Sequence, residues 1–494
     1  MRKITTQTPK IAAFSVTLSL FLAGCAVNPV TGERELSLIS TPEQIAIGEQ
    51  QYFPSRQMQG GDYVVDRALA DYVAGVGQRV AQHSDLPLPY EFVVLNSSVP
   101  NAWALPGGKI AVNRGLLLEL GSEAELAAVL GHEIVHAAAG HGAQAMQRGM
   151  ILQGVLVATA VAAQRSDYSG LAIGAASVGA QLLNQRYSRD AELEADAYGI
   201  TYMAAANYDP AAAITLQETF VRLSENRSGG WLEGLFASHP PSQERVDRNR
   251  DTVARIPPGG DVGRESFQAA TRRLRETQPA YEAHDEARVA LSEGRVADAI
   301  RLATRAVELV PREALFHALE GDIEMSQERY ADAVAHYGDA IELDGRFFYY
   351  QLQKGLAHYV LNQSSAAETH LLNSLDLLPT ADAHYALGAI AESRGDVATA
   401  FEHYAAAAGS NTPAGQAAQV AVIRLDLPQN PGRYLQVGAV TDARGQLVAQ
   451  VTNPTSVVVA NVVLIIRFVD AGGAIRQTSR VINQALTPGA GIRI

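Results

Sequence analysis

Residues 131–142 read GHEIVHAAAGHG, and within them His132, Glu133 and His136 form an H-E-x-x-H pattern. On a helix, residues four apart share one face a turn apart, so the two imidazoles can aim nitrogens at one point. Glu133 follows His132 by one position, about 100° around the axis, where its carboxylate can reach a metal-bound water but not the metal. This is the arrangement of H-E-x-x-H zinc hydrolases. Ser122 reads as an N-cap, Glu125 three residues on completes a capping box, and Gly140 suits the C-terminal end.

Two histidines do not hold a catalytic metal alone. His141 fails on spacing, because an extended pattern needs Gly three and His six residues after the second histidine, and those positions hold Ala139 and Gly142. A second polar-start helix is expected from Ser188 to about Asn207, before Pro210, with Asp190 and Glu192 in its first turn. Glu192 and Asp196 are four apart and share a face, while Glu194 points away. One of these carboxylates can bind zinc while the other orients a ligating imidazole.

Upstream, Arg2, Lys3 and Lys10 precede an apolar run over 11–23, the length of a signal-peptide core and short for a membrane span. The run ends in Leu22-Ala23-Gly24-Cys25, which resembles the lipobox of bacterial lipoproteins, with Cys25 as the acylated residue. Cys25 is the only cysteine, so no intramolecular disulfide can form. By analogy with enterobacterial lipoprotein sorting, Ala26 rather than Asp after it favours the outer membrane over the inner one. Loss of 1–24 takes the formal charge from −13 to −16, a poor balance for a nucleic-acid binder, and DNA and RNA partners are set aside.

The sequence predicts an α+β protein. Residues 25–55 are turn-rich and are expected to form a tether. An amphipathic helix is expected around 65–82 and a strand over 90–95, followed by two short strands on either side of Pro106-Gly107-Gly108. The stretches 150–163 and 171–183 read as apolar helices covering the core, too short to span a bilayer. A mostly helical peptidase-type domain with a small sheet is thus expected over 56–255, and a linker over 256–280 containing Pro257-Pro258-Gly259-Gly260.

Beyond the linker, Ala297-Asp298-Ala299-Ile300 returns as Ala331-Asp332-Ala333-Val334, Ser365-Ala366-Ala367-Glu368 and Thr399-Ala400-Phe401-Glu402, each 34 residues on. Pro311, Gly345, Pro379 and Pro413 keep the same step, as do Gly321 with Gly355 and Ala306 with Ala340. That period is the tetratricopeptide signature, predicting an α-solenoid over 281–425 with a groove for peptides or partner proteins. The tail over 430–494 is rich in β-formers between turns and reads as a small β-sandwich-like module.

The H-E-x-x-H motif, Glu192-x-x-x-Asp196 and Asn101-Ala102-Trp103-Ala104-Leu105-Pro106-Gly107-Gly108 together resemble mini-gluzincin metallopeptidases of the HtpX and prenyl-protease type. With the lipobox, Asn28-Pro29-Val30-Thr31-Gly32 and the repeats, the chain is similar to the periplasmic BepA-like branch of that family. The resemblance implies zinc held by His132, His136 and Glu192, Asp196 supporting a ligand, and Glu133 as general base. It implies Asn101, Ala102, Trp103 and Ala104 as an edge strand for substrate. A His-Pro element like Ser238-His239-Pro240-Pro241 closes the peptidase domain in this family. It makes His239 a candidate fourth ligand or oxyanion donor, with Arg245 competing for the oxyanion role. Expected partners are unfolded or misassembled envelope proteins and, through the repeats, outer-membrane β-barrel assembly machinery. The alternative reading is a chaperone-like or scaffolding lipoprotein with latent or vestigial protease activity.

Overall fold

The computed structural model describes residues 25–149, 187–226, 236, 238–441, 447–469 and 472–494. The leader over 1–24, the apolar stretches 150–163 and 171–183, and Gly229-Gly230-Trp231 lie outside the described residues. Two compact units emerge, one ending at Tyr350 and the other running from Gln351 to Ile494.

In the first unit, a short antiparallel pair, β1 (Cys25–Val27) and β2 (Arg34–Leu36), precedes a helix over Thr41–Met58. The main sheet has strands β3 (Glu91–Leu95), β4 (Ala102–Leu105) and β5 (Lys109–Asn113) in the order β3-β5-β4. β5 runs parallel to β3 and antiparallel to β4, so β4 is an edge. Gly107 turns the β4–β5 hairpin at φ +80°, and a Cβ there would stand 2.6 Å from Ile45 Cα, so chirality and space both require glycine.

Helix Arg67–Ala81 lays Val73, Val76 and Val80 on this sheet, and helix Glu123–Ala138 adds Leu126, Leu130 and Ile134, all within one buried core. The apolar residues of each recur at helical spacing, which is why they share a face.

Two expected boundaries are corrected. The tether over 25–55 is folded: Tyr52 donates its hydroxyl to the Ile110 carbonyl (2.8 Å), and Asn28 and Val30 are buried. Asn28 Oδ1 accepts from the Val30 amide (2.9 Å), a turn that its side chain stabilises. The linker over 256–280 is largely helix, because Arg264–Ser292 is continuous and buries Phe267, Thr271 and Leu274. Those three lie one turn apart and pin the helix to the first unit's core, where Tyr281 and Phe316 also sit.

The repeats are helix pairs. Within the first unit Arg264–Ser292 pairs with Val296–Leu309, and Ala314–Ser326 with Tyr330–Leu343. A third pair comprises Phe348–Val360 and Ser364–Leu377, and a fourth Ala381–Ser393 and Val397–Ala407, before helix Pro413–Asp426. The recurring Ala-containing tetrads fall at the start of each second helix. A Cβ on Gly321 would stand 2.7 Å from the Tyr337 ring, and one on Gly355 would stand 2.8 Å from Leu371. The 34-residue step thus records where paired helices touch.

The second unit ends in strands. β6 (Gln436–Thr441), β7 (Leu447–Thr452) and β10 (Gly491–Arg493) form a sheet in the order β10-β7-β6, and β8 (Val462–Val469) pairs with β9 (Ile475–Ile482). Val451, Leu464, Ile482 and Leu486 form the small core of these strands. The whole is α+β, as the sequence predicts. Among the described residues, no helix is long and apolar enough to cross a membrane.

Candidate metal centre

Ser122 accepts the Glu125 amide (3.2 Å) and starts the motif helix, Glu123–Ala138. The Glu125 carboxylate accepts from the Gly121 amide (2.6 Å), one residue earlier than the expected capping box. Ser188 caps the carboxylate helix, Arg189–Ala205, by accepting the Ala191 amide (3.2 Å). The two helices cross backbone to backbone at Gly131 and Gly199, where a Cβ on either would meet the other chain at 2.8 Å. This contact sets the Glu192–Asp196 face beside the His132–His136 face.

One ligand atom from each of His132, His136, Glu192 and His239 lies within 4.8 Å of the others. His132 Nε2 is 3.0 Å from His136 Nε2 and 3.2 Å from His239 Nδ1. Glu192 Oε1 lies 3.0 Å from His239 Nδ1 and 3.4 Å from His136 Nε2. His132 Nδ1 pairs with Asp196 Oδ1 at 2.9 Å, so it carries the ring proton and leaves the Nε2 lone pair facing the cluster. His239 therefore joins the cluster, while His141 stands behind it, Nδ1 against Nδ1 of His136 at 2.8 Å.

Arg245, expected as an oxyanion donor, is engaged with the carboxylates. Its Nε and Nη2 each donate to Asp196 at 2.7 Å, Nη1 lies 2.8 Å from Glu192 Oε2, and Nη1 also donates to the Pro240 carbonyl at 3.3 Å. Its sequence gives no hint of this, because its partners lie 49 and 53 residues away on another helix. A further residue that sequence reading passes over is Tyr187, whose ring stacks on His136 at 3.9 Å between centroids.

Burial and the neighbouring charges compete in the cluster. Burial pushes His136 well below its ordinary range, keeping a neutral imidazole with a free lone pair. Burial opposes the charged form of Glu192, but His239, His136 and His132 outweigh it and hold the carboxyl well below the usual range. Burial raises Glu133, with His239 and His132 opposing. Glu133 Oε2 is buried and has no hydrogen-bond partner among the described residues, while Oε1 lies 3.6 Å from His239 Nε2.

A two-histidine helix crossed by a carboxylate helix, beside a three-stranded sheet whose β4 edge pairs with no further strand among the described residues, defines the class as H-E-x-x-H metallopeptidase-type. Residues 68–253 match peptidase family M48, and 284–345 and 352–416 match a tetratricopeptide repeat, so the chain carries an M48 peptidase domain followed by such repeats. The metalloprotease YcaL of Escherichia coli is 32% identical over 172 residues, 34% of this chain and 63% of that protein. The mitochondrial metalloendopeptidase OMA1 of Arabidopsis thaliana is 35% identical over 161 residues, 32% of this chain and 30% of the relative. The beta-barrel assembly-enhancing protease of Escherichia coli is 26% identical over 252 residues, 50% of this chain and 51% of the relative. The chain therefore spans 30% to 63% of the length of these relatives.

Proposed function

We propose that this chain is a zinc-dependent endopeptidase of the bacterial periplasm, anchored at the outer membrane through lipid on Cys25. It degrades misfolded or stalled envelope and outer-membrane proteins and assists their assembly, and its repeats recruit clients or β-barrel assembly machinery. The observation that carries this reading is the convergence of His132, His136, Glu192 and His239 beside a buried, unpaired Glu133 oxygen.

The donor set suits zinc. Nitrogens bound to one tetrahedral zinc at 2.0–2.1 Å lie about 3.3 Å apart, and His132 Nε2 stands 3.0 and 3.2 Å from the two neighbouring imidazole nitrogens. His132, His136 and Glu192 would hold the metal, with His239 as a fourth donor that keeps the site latent until substrate displaces it. Bound there, zinc supplies Lewis-acid polarisation of the scissile carbonyl and acidifies the attacking water.

The remaining work falls to the chain. Glu133 Oε2 takes the water's proton and returns it to the leaving amine. Asp196 fixes the His132 tautomer, and Arg245 holds Asp196 and Glu192 in place. The Asn113 amide donates to the Asn101 carbonyl (2.8 Å), so that pair is hydrogen-bonded in the antiparallel ladder. The alternation then turns the amides and carbonyls of Ala102 and Ala104 toward the open edge, where an extended substrate adds as a strand. The name of the Escherichia coli assembly-enhancing relative and the lipobox at Cys25 support the envelope setting.

The test is Glu133→Gln. The variant is expected to bind zinc as the parent does and to lose cleavage of denatured outer-membrane protein. Unimpaired cleavage would sink the mechanism and favour a scaffolding role.

A further inference from the structure

Beside the histidine cluster lies a cavity of about 40 Å³, bordered by His132 and Glu133 on one side and Ala102 of the edge strand on another. The wall away from His132, Glu133, His239 and the Asp196–Arg245 pair is apolar and includes Leu116, Val129, Ile200 and Phe220, all buried. Gln217, on helix Ala212–Asn226, breaks that pattern. It lines the cavity, is 4% exposed, and its Oε1 has no hydrogen-bond partner among the described residues. A buried amide oxygen left unpaired is destabilising, and a residue needed only to close an apolar wall would be Leu or Met. Asn249, the other neutral polar side chain at the cavity, donates its Nδ2 to the Ala213 carbonyl (3.5 Å). Arg245 and Asp196, which also border the cavity, pair with each other.

A substrate strand laid along Ala102 and Ala104 would send alternate side chains toward and away from this cavity. Since a single water needs about 10–15 Å³, the space accepts a small side chain. Besides Glu133 Oε2, assigned to the water, the lining leaves Gln217 Oε1 as a free acceptor among the described residues, and apolar neighbours around that acceptor match a side chain with an apolar body and a donor tip.

We infer that the site selects peptides carrying Thr, or next best Ser or Asn, beside the scissile bond, and that Gln217 Oε1 accepts the hydrogen bond from that side chain. Thr fits best, its methyl on the walls and its hydroxyl on the amide. This inference rests on the peptidase reading above.

Thr and Val are isosteric, so matched peptides differing only there isolate the hydrogen bond. The full-length zinc-loaded chain is first given a peptide mixture, its cuts are mapped by mass spectrometry, and the preferred sequence is then made with Thr or Val at the position in question. A site built to bond a hydroxyl rejects the analogue lacking it, so at least a tenfold preference in kcat/KM, at about that scale or above, is expected for Thr. Gln217→Met, close in volume but without the amide, is expected to abolish the preference or reverse it. Equal cutting of both peptides by the parent overturns the inference, as does a Thr preference that survives in Gln217→Met. Should that variant fail to fold, Gln217→Glu decides: it keeps an acceptor and should retain the Thr preference, and loss of that preference there overturns the inference. If the parent cuts no peptide at all, the peptidase reading falls and this inference falls with it.

Discussion

Gly199 lies so close to the motif helix that a Cβ on it would stand 2.8 Å from the His132 amide nitrogen and 2.9 Å from the Gly131 carbonyl carbon. Both obstacles are backbone, so neither can swing aside. Gly199→Ala must push the carboxylate helix away from the motif helix, at a cost of about 1–3 kcal/mol that outweighs the helix-propensity gain. It also draws Glu192 and Asp196 away from the histidines, so reduced thermal stability and reduced zinc stoichiometry are expected together. Gly75→Ala is the matched control. It lies inside helix Arg67–Ala81 with nothing within 4 Å of its would-be Cβ, and should raise stability by up to about 1 kcal/mol. Calorimetry and metal analysis on the two variants check both expectations.

Asp196 serves two partners at once, His132 Nδ1 at 2.9 Å and the Arg245 guanidinium at 2.7 Å through both oxygens. Asp196→Asn keeps the shape but removes the charge that fixes the imidazole and balances a buried cation. Loss of such an outer partner typically weakens metal binding about 10–100-fold. Competition against a chelator of known affinity measures this, and an unchanged zinc affinity would show that Asp196 neither orients His132 nor tunes it.

Features carried by strict local spacing were legible in the sequence. The motif helix, the Glu192–Asp196 face, the Gly-turned hairpin and the 34-residue step each repeat a pattern at a fixed offset. Helix Thr41–Met58 was not legible, because its buried positions are Gly48, Gln51, Tyr52, Ser55 and Gln57, which leave no apolar stripe. Across the expected linker the helix Arg264–Ser292 buries Phe267, Thr271, Leu274 and Ala280 among Arg and Glu, a stripe too sparse to stand out beside a Pro-Gly run. The pairing of Arg245 with Asp196 and Glu192 escaped for a different reason: an ion pair between separate helices has no periodicity to read.

The helix that replaces the linker brings the first repeats into the peptidase core through a buried polar network. Arg114 stacks 3.5 Å above the Tyr281 ring and donates to Asn96 Oδ1 (2.8 Å) and Ser98 Oγ (2.7 Å). Glu313, 1% exposed, accepts from Asn96 Nδ2 (3.2 Å), the Leu315 amide (3.1 Å) and the Tyr281 hydroxyl. Glu313→Ala leaves Asn96 and Tyr281 short of a partner, a loss of about 1–3 kcal/mol. Since the network ties sheet to repeat, unfolding followed by repeat helicity and by zinc release should shift to lower temperature together. A shift in helicity that leaves zinc release unmoved would show that the first repeats fold independently of the peptidase core.

Asp322 supplies a pH dependence distant from the metal centre. Burial pushes its carboxyl up from 3.8 to about 6, against the opposing hydrogen bonds it accepts from Tyr337 (2.7 Å) and Tyr349 (2.8 Å). The folded chain therefore holds a proton at Asp322 that the unfolded chain has already released between pH 3.8 and about 6. Over that window the folded state binds more protons, so this group's contribution to stability falls as pH rises and levels off above it. The displacement of about two pH units corresponds to roughly 3 kcal/mol at most. Asp322→Asn keeps an acceptor for both tyrosines and cannot ionise, so it should be more stable than the parent at pH 7.5 and close to it at pH 4. Urea unfolding followed by circular dichroism at the two pH values measures the difference. A variant no more stable than the parent at pH 7.5 would mean that burial does not raise the Asp322 carboxyl.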